Sequence, residues 1–152
     1  TMIEGIKNCE YAGIHANCTW IMAYPTETLD DLKISVAFIK WQEDFYASCG
    51  KSLDSVNNGM FTATWYPGTE MTHHPKVLQL LRDVFGVTFD SETREPICDE
   101  NFHQYVLELD DATKILHDKN GTPLNFGDMP MDVFLRVREY IDSENIFGIL
   151  DM

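Results

Sequence analysis

The alternation of predicted helices with apolar extended segments in residues 1–86 most constrains how this chain can fold. Ile3–Ala12, Leu29–Phe45 and Pro75–Phe85 have the composition and apolar spacing of helices. Between them, Ile14–Tyr24 and Val56–Tyr66 are rich in residues that favour strands. A helix between two strands is the connection that parallel pairing requires. The order therefore predicts an α/β fold built from βα units.

Local signals predict where these elements begin and end. Gly13 and Gly86 are the expected stops of the first and third helices, because glycine adopts the left-handed conformation at low cost. Thr28 is expected to cap the second helix, with Asp31 as its acidic partner. Pro25 is expected to end the first strand, and it keeps Tyr24 before it out of the helical conformation.

The alternation stops near residue 87, and a polar stretch follows. Asn120-Gly121 predicts a turn between two short strands around Lys114–His117 and Pro123–Phe126. A final helix is expected after Asp128, where apolar residues again recur at helical spacing. We therefore divide the chain into βα units in residues 1–86 and a C-terminal α+β extension in residues 87–152.

The charge of the chain argues against nucleic acid as a partner. With 25 acidic and 11 basic residues the formal net charge is −14, which repels a phosphate backbone. No apolar run approaches the ~20 residues that a membrane-spanning helix needs, and the first residues do not resemble a signal peptide. We expect a soluble, cytoplasmic protein.

The cysteines predict no metal centre within this chain. Cys9, Cys18, Cys49 and Cys98 contain no close pair, whereas zinc sites and iron-sulfur clusters need thiolates at short spacings. We expect reduced thiols that pack as small apolar side chains.

Two strand ends resemble a known family. Residues 20–28 read Trp-Ile-Met-Ala-Tyr-Pro-Thr-Glu-Thr, after Gly13-Ile14, and residues 65–69 read Trp-Tyr-Pro-Gly-Thr. Both are similar to radical S-adenosylmethionine enzymes, whose fifth barrel strand runs into Gly-x-Pro-Gly-Glu-Thr and whose next strand often ends in Tyr-Pro-Gly-Thr. The second form is typical of the branch that carries a cobalamin-binding domain. Ala23 and Thr26 replace the usual glycines, so we expect this loop either to avoid positive φ or to adopt another shape.

The resemblance implies a fold and a reaction. The fold is the last βα units of a partial or full TIM-like barrel, followed by the extension. In the family, a 4Fe-4S cluster reduces S-adenosylmethionine to a 5′-deoxyadenosyl radical that abstracts hydrogen from a small-molecule substrate. The Cys-x-x-x-Cys-x-x-Cys motif that holds the cluster is not in this sequence and normally lies upstream. The chain would therefore form part of the cofactor and substrate pocket and act only with the upstream half; whether cobalamin is used stays open.

Position at strand ends selects the candidate cofactor-binding residues, because chemistry in parallel barrels gathers at the C-terminal ends of the strands. They are Tyr24, Pro25, Glu27, Tyr66, Pro67, Gly68 and Thr69. Each has a structural alternative: Glu27 can simply complement the dipole of the following helix, and residues 66–69 can be a plain type II turn with Gly68 at positive φ.

Two other functions remain open at this point. The first is a stand-alone acidic α/β module that acts through protein contacts and covers exposed strand edges by self-association. The second is a metal-dependent hydrolase built on His73 and His74 beside Glu70, for which no third ligand has suitable spacing.

Overall fold

The structure is a computed structural model that describes residues 1–53, 59–66, 68–97, 100–108 and 115–152, without the side chain of His103. Its helices and strands are α1 (Met2–Tyr11), β1 (Trp20–Met22), α2 (Leu29–Ser48), β2 (Met60–Thr62), α3 (Pro75–Phe85), β3 (Thr88–Phe89), β4 (Pro96–Ile97), α4 (Glu100–Glu108) and α5 (Met131–Asp142). Two 3-10 helices cover Glu70–His73 and Ile146–Asp151. No helix in these ranges is both long and apolar enough to cross a membrane.

β1 and β2 form a parallel pair joined by α2, which is one βαβ unit. Trp20 lies opposite Met60, and Met22 lies opposite Thr62. The ladder continues for one bond, from the Ala63 amide to the Met22 carbonyl at 2.7 Å. β3 and β4 form a separate antiparallel pair. A mixed α/β chain is thus confirmed, and the described ranges contain two small sheets rather than a barrel.

The predicted helix stops are confirmed. The Gly13 amide donates to the Glu10 carbonyl at 3.0 Å and the Ile14 amide to the Cys9 carbonyl at 2.8 Å, which is a Schellman motif with Gly13 at φ 74°. Gly86 ends α3 in the left-handed conformation.

The predicted cap of α2 is also confirmed. The Thr28 side chain accepts from the Asp31 amide, and the Asp31 carboxylate accepts from the Thr28 amide at 3.0 Å, which completes a capping box. The helix runs to Ser48, slightly beyond the predicted end at Phe45.

Both predicted strands are longer than the observed ones. Ile14–Tyr24 contributes only Trp20–Met22 to the sheet. Side chains of α2 hold the preceding backbone instead, since the Ala16 carbonyl accepts from the Tyr46 hydroxyl at 2.5 Å and from Gln42 Nε2 at 3.2 Å. Within Val56–Tyr66, β2 covers Met60–Thr62, and residues 54–58 lie outside the described ranges.

Two apolar clusters form the core. The first packs β1, α2 and β2 against α5 and the last 3-10 helix, with Met22, Leu32, Val36, Ile39, Met60, Phe134, Val137 and Ile149 buried. The second joins the segment after β2, α3 and the extension, with Trp65, Met71, Val77, Leu81, Phe102, Leu116 and Phe126 buried. The extension therefore supplies part of both clusters, and the boundary near residue 87 stays a prediction.

The predicted turn at Asn120-Gly121 is present. Gly121 has φ 80°, and the Asp118 amide donates to the Thr122 carbonyl at 2.8 Å. Of the expected strand pair, the described residues form one isolated bridge between His117 and Pro123, and residue 114 lies outside them. The final helix after Asp128 is confirmed as α5.

Candidate functional site

The chain makes a tight turn directly after β1. The Glu27 amide donates to the Tyr24 carbonyl at 2.9 Å, which closes a four-residue turn with Pro25 and Thr26 at its centre. Proline at the first central position and positive φ at the second, 76° at Thr26, are the features of a type II turn. Pro25 is buried, whereas 49% of Tyr24 is exposed. The turn therefore presents an aromatic ring at the C-terminal end of β1.

Of the two alternatives expected for this loop, the avoidance of positive φ is wrong. Ala23 has φ 59° and Thr26 has φ 76°, although both residues carry a Cβ. The left-handed conformation costs a non-glycine residue about 1–2 kcal/mol. These are the positions at which radical S-adenosylmethionine enzymes usually have glycine. The loop therefore has two residues with a Cβ in the conformation that glycine adopts most readily.

Glu27 closes this loop from within. Its Oε2 accepts the Ala23 amide at 2.5 Å. Burial raises the pKa of the Glu27 carboxyl, while the hydrogen bond from the Ala23 amide opposes that rise. Because Thr28 and Asp31 already cap α2, the geometry gives Glu27 a third role beside dipole partner and ligand contact. It acts as a clamp that holds the turn against the end of β1.

The extension contributes a wall to this loop that the sequence did not predict. A Cβ on Gly127 would lie 3.0 Å from the Ala23 Cα and 3.1 Å from the Glu27 carbonyl oxygen. The Asp128 amide donates to that same carbonyl at 2.7 Å. Lys76 Nζ bonds the Gly127 carbonyl and lies 3.3 Å from the Asp128 carboxylate. The glycine in Asn-Phe-Gly-Asp was the available signal, because glycine often marks a close backbone approach.

The second candidate turn follows β2. Gly68 has φ 78°, as predicted, and its neighbour Pro67 lies outside the described residues. The Thr69 hydroxyl donates to the Tyr66 carbonyl at 2.9 Å, which holds the turn closed from its far side. The Tyr66 side chain is 42% exposed. This turn also presents an aromatic ring beside a glycine at positive φ.

β1 and β2 are hydrogen-bonded parallel neighbours, so their C-terminal ends, which the two turns follow, lie at the same end of the sheet. Tyr24–Glu27 and Tyr66–Thr69 therefore follow the C-terminal ends of neighbouring strands, apart from the undescribed Pro67. Their contact with a cofactor stays a prediction.

One face of this sheet is covered and the other is open. Trp20 and Met22 pack against the first apolar cluster. Asn17, Thr19 and Ile21 alternate with them and are exposed, Ile21 to 60%. In a closed barrel of parallel strands, the side chains opposite the helices fill the interior.

The residues present differ in their fit to the implied cofactors. The preformed turns and the exposed rings of Tyr24 and Tyr66 suit a nucleoside, which stacks on aromatic faces. Among the residues that the structure describes, no three His, Cys, Asp or Glu side chains lie close enough together to hold a metal ion. These residues therefore offer no ligand set for a 4Fe-4S cluster or for the metal of a hydrolase. His73 and His74 end the first 3-10 helix as neighbours in the chain.

The chain matches no family model, no curated protein and no solved structure. The resemblance to radical S-adenosylmethionine enzymes therefore depends on the two strand-end sequence motifs alone and stays a prediction.

Proposed function

We propose that this chain is the C-terminal part of a radical S-adenosylmethionine enzyme and forms one wall of the pocket for that cofactor and the substrate. The observation that carries the proposal is the positive φ of both Ala23 and Thr26. Neither residue favours that conformation, so the loop shape is imposed by the surrounding structure. The loop has this shape at an energetic cost, at the positions where the family has glycine. This favours a functional role for the shape of the loop.

The two turns suit the nucleoside part of the cofactor. Tyr24 and Tyr66 offer ring faces for stacking on an adenine, and Gly68 lets the backbone approach a ligand closely. The clamp from Glu27 to Ala23 fixes the first turn in advance, which reduces the ordering that binding would otherwise require. In this family S-adenosylmethionine supplies a radical that removes hydrogen from the substrate. The residues of this chain would bind and orient it.

The upstream half is the proposed cover of the open face. Parallel sheets are almost always covered on both faces, and within the described residues β1 and β2 each have one strand neighbour. Ile21, exposed to 60%, lies in the middle of this open face. Further barrel strands would bury it and would bring the cluster to the edge that carries the two turns.

The alternative is an interaction module without catalysis, and the same exposed face favours it. A second copy of the chain would then cover Ile21. The two proposals differ in what precedes Thr1 in the gene: a cysteine triplet in the enzyme, and a start codon in the module.

The decisive experiment uses the protein encoded by the whole reading frame, reconstituted anaerobically with iron and sulfide. The expected result is reductive cleavage of S-adenosylmethionine to 5′-deoxyadenosine by the long protein and none by residues 1–152.

Tyr66→Ala in the long protein should weaken cofactor binding. Tyr11→Ala is the control, because Tyr11 is also exposed but ends α1 and contacts Phe45 near the C-terminal end of α2, outside the two turns. A reading frame that starts at residue 1, or a long protein that binds no cofactor, would refute the enzyme proposal.

A further inference from the structure

A cavity of about 340 Å³ lies between α3 and the hairpin formed by β3 and β4. It contains none of the candidate residues at the strand ends. Its lining includes His73, Leu78, Arg82, Phe89, Ser91 and Arg94. Two arginines, Arg82 and Arg94, therefore line one cavity in a chain whose net charge is −14.

Arg82 is positioned by stacking. It lies in the last turn of α3, and its guanidinium carbon is 5.5 Å from the centre of the Phe89 ring. Stacking on an aromatic face holds the guanidinium plane while leaving its N–H groups free to donate at the edges. The β3 residue Phe89 thus orients a cation at the cavity.

Arg94 is positioned by the hairpin loop. Its backbone amide donates to the Asp90 carbonyl at 3.0 Å, and its φ is 59°. Glycine or asparagine would take this left-handed conformation more readily than arginine. Its Nη1 donates to the His73 carbonyl at 3.4 Å, which points the side chain across the cavity towards α3. Arginine is therefore kept at a strained position from which it reaches the cavity.

Arg82 and Arg94 are not neutralised by carboxylates of the described residues. Arg138 pairs with Asp142, but neither Arg82 nor Arg94 has an ion pair within the described ranges. Asp90 also lines the cavity, yet its Oδ1 already accepts two backbone amides and the Thr93 hydroxyl. An incoming anion would thus meet two guanidinium groups whose donors are largely available.

We propose that this cavity is a binding site for an oxyanion group, a phosphate or a carboxylate, held between Arg82 and Arg94. Guanidinium groups present paired N–H donors that match the oxygens of both anions. The Ser91 hydroxyl adds a further donor at the same cavity. The inference is independent of the radical S-adenosylmethionine proposal, because it uses no residue of the strand-end turns.

The test titrates residues 1–152 with inorganic phosphate and, separately, with succinate at constant ionic strength, with binding measured by calorimetry. The variants are Arg82→Gln and Arg94→Gly; the second keeps the left-handed backbone and so preserves the hairpin. Arg136→Gln is the matched control, since Arg136 stacks on Tyr140 in α5 and its loss removes the same charge elsewhere. Circular dichroism checks that each variant folds.

We expect saturable binding of at least one anion, weakened about tenfold by each cavity variant and unchanged by Arg136→Gln, because each loss removes a charge-assisted hydrogen bond. Phosphate binding alone would identify a phosphate ester as the ligand class, and succinate binding alone a carboxylate. Binding of neither anion would overturn the proposal. Equal weakening by all three variants would overturn it as well, since it would reveal only a response to net charge.

Discussion

The Glu27 carboxylate accepts the amide of Ala23 at 2.5 Å, four residues back along the chain. Ala23 is fully buried, so its amide has no access to water. The contact therefore satisfies a donor that a left-handed residue at the end of β1 would otherwise leave unpaired. Gly127 and Asp128 of the extension contact the backbone of the same loop.

Removing this acceptor should loosen the loop. Glu27→Ala leaves the buried Ala23 amide unpaired, and we expect a loss of about 1–3 kcal/mol in the free energy of unfolding. Glu27→Gln keeps an acceptor oxygen and should lose less. Glu139→Ala removes an exposed carboxylate on α5 and serves as the control. Urea denaturation measures all three, and equal stability of Glu27→Ala and the control would contradict the clamp.

The same carboxyl gives a pH dependence of known sign. Burial raises the pKa of Glu27 above its ordinary value of 4.5. A carboxyl with a raised pKa binds its proton more tightly in the folded state, so its ionisation costs stability as the pH rises from below 4.5 through the folded pKa. The melting temperature of the wild type minus that of Glu27→Gln should therefore fall as the pH rises from below 4.5 through the folded pKa. A constant difference would mean that the folded pKa is not raised.

Gly127 tests whether the extension really forms a wall of the loop. Gly127→Ala would place a Cβ against the Ala23 Cα and the Glu27 carbonyl, which are backbone atoms that cannot move aside cheaply. We expect a loss of about 1–3 kcal/mol. Gly5→Ala in α1 meets nothing within 4 Å and should instead stabilise by roughly 0.5–1 kcal/mol. If both variants are equally stable, Gly127 does not lie in close contact with the backbone of Ala23 and Glu27.

The parts of the fold that follow from local chemistry could be predicted from the sequence. The capping box at Thr28, the glycine stops of α1 and α3 and the left-handed Gly68 each depend on a few neighbouring residues. These signals are short in range, and the sequence contains them completely.

The parts that depend on distant segments could not be predicted. Strand length was overestimated because composition does not reveal that Gln42 and Tyr46 of α2 hold the Ala16 carbonyl outside the sheet. The wall at Gly127 was missed because it joins segments about a hundred residues apart in sequence. Positive φ at Ala23 was missed for the same reason: local preference disfavours it, and tertiary contacts override that preference.

Thr26 offers a test of stored strain. Thr26→Gly places the family's usual residue in a conformation that glycine adopts freely, and relief of about 1–2 kcal/mol in the folded state is partly offset by greater freedom in the unfolded chain. We expect net stabilisation. Thr19→Gly is the matched control, because Thr19 precedes the same strand and is exposed without positive φ. It should destabilise. Destabilisation by both changes would show that Thr26 is not strained.

Gly68→Val separates a structural turn from a cofactor-binding turn. Gly68 has φ 78°, and a Cβ added to it would meet no atom within 4 Å, so a valine there meets conformational cost rather than a clash. We expect it to lose about 1–2 kcal/mol or to reshape the turn. Gly121 has φ 80° and equally open surroundings, so Gly121→Val carries the same cost at a turn that does not belong to the proposed pocket.

The two valine variants are compared in the protein encoded by the whole reading frame, by calorimetric titration with S-adenosylmethionine and by iron content. If residues 66–69 line the nucleoside pocket, Gly68→Val weakens cofactor binding while Gly121→Val does not, although both lose similar stability. Iron content should stay the same in both, because this chain is not expected to hold the cluster. Unchanged cofactor affinity in a well-folded Gly68→Val protein would leave Tyr66–Thr69 as a structural turn. The conformational strain of valine at position 68 would then have no effect on ligand binding.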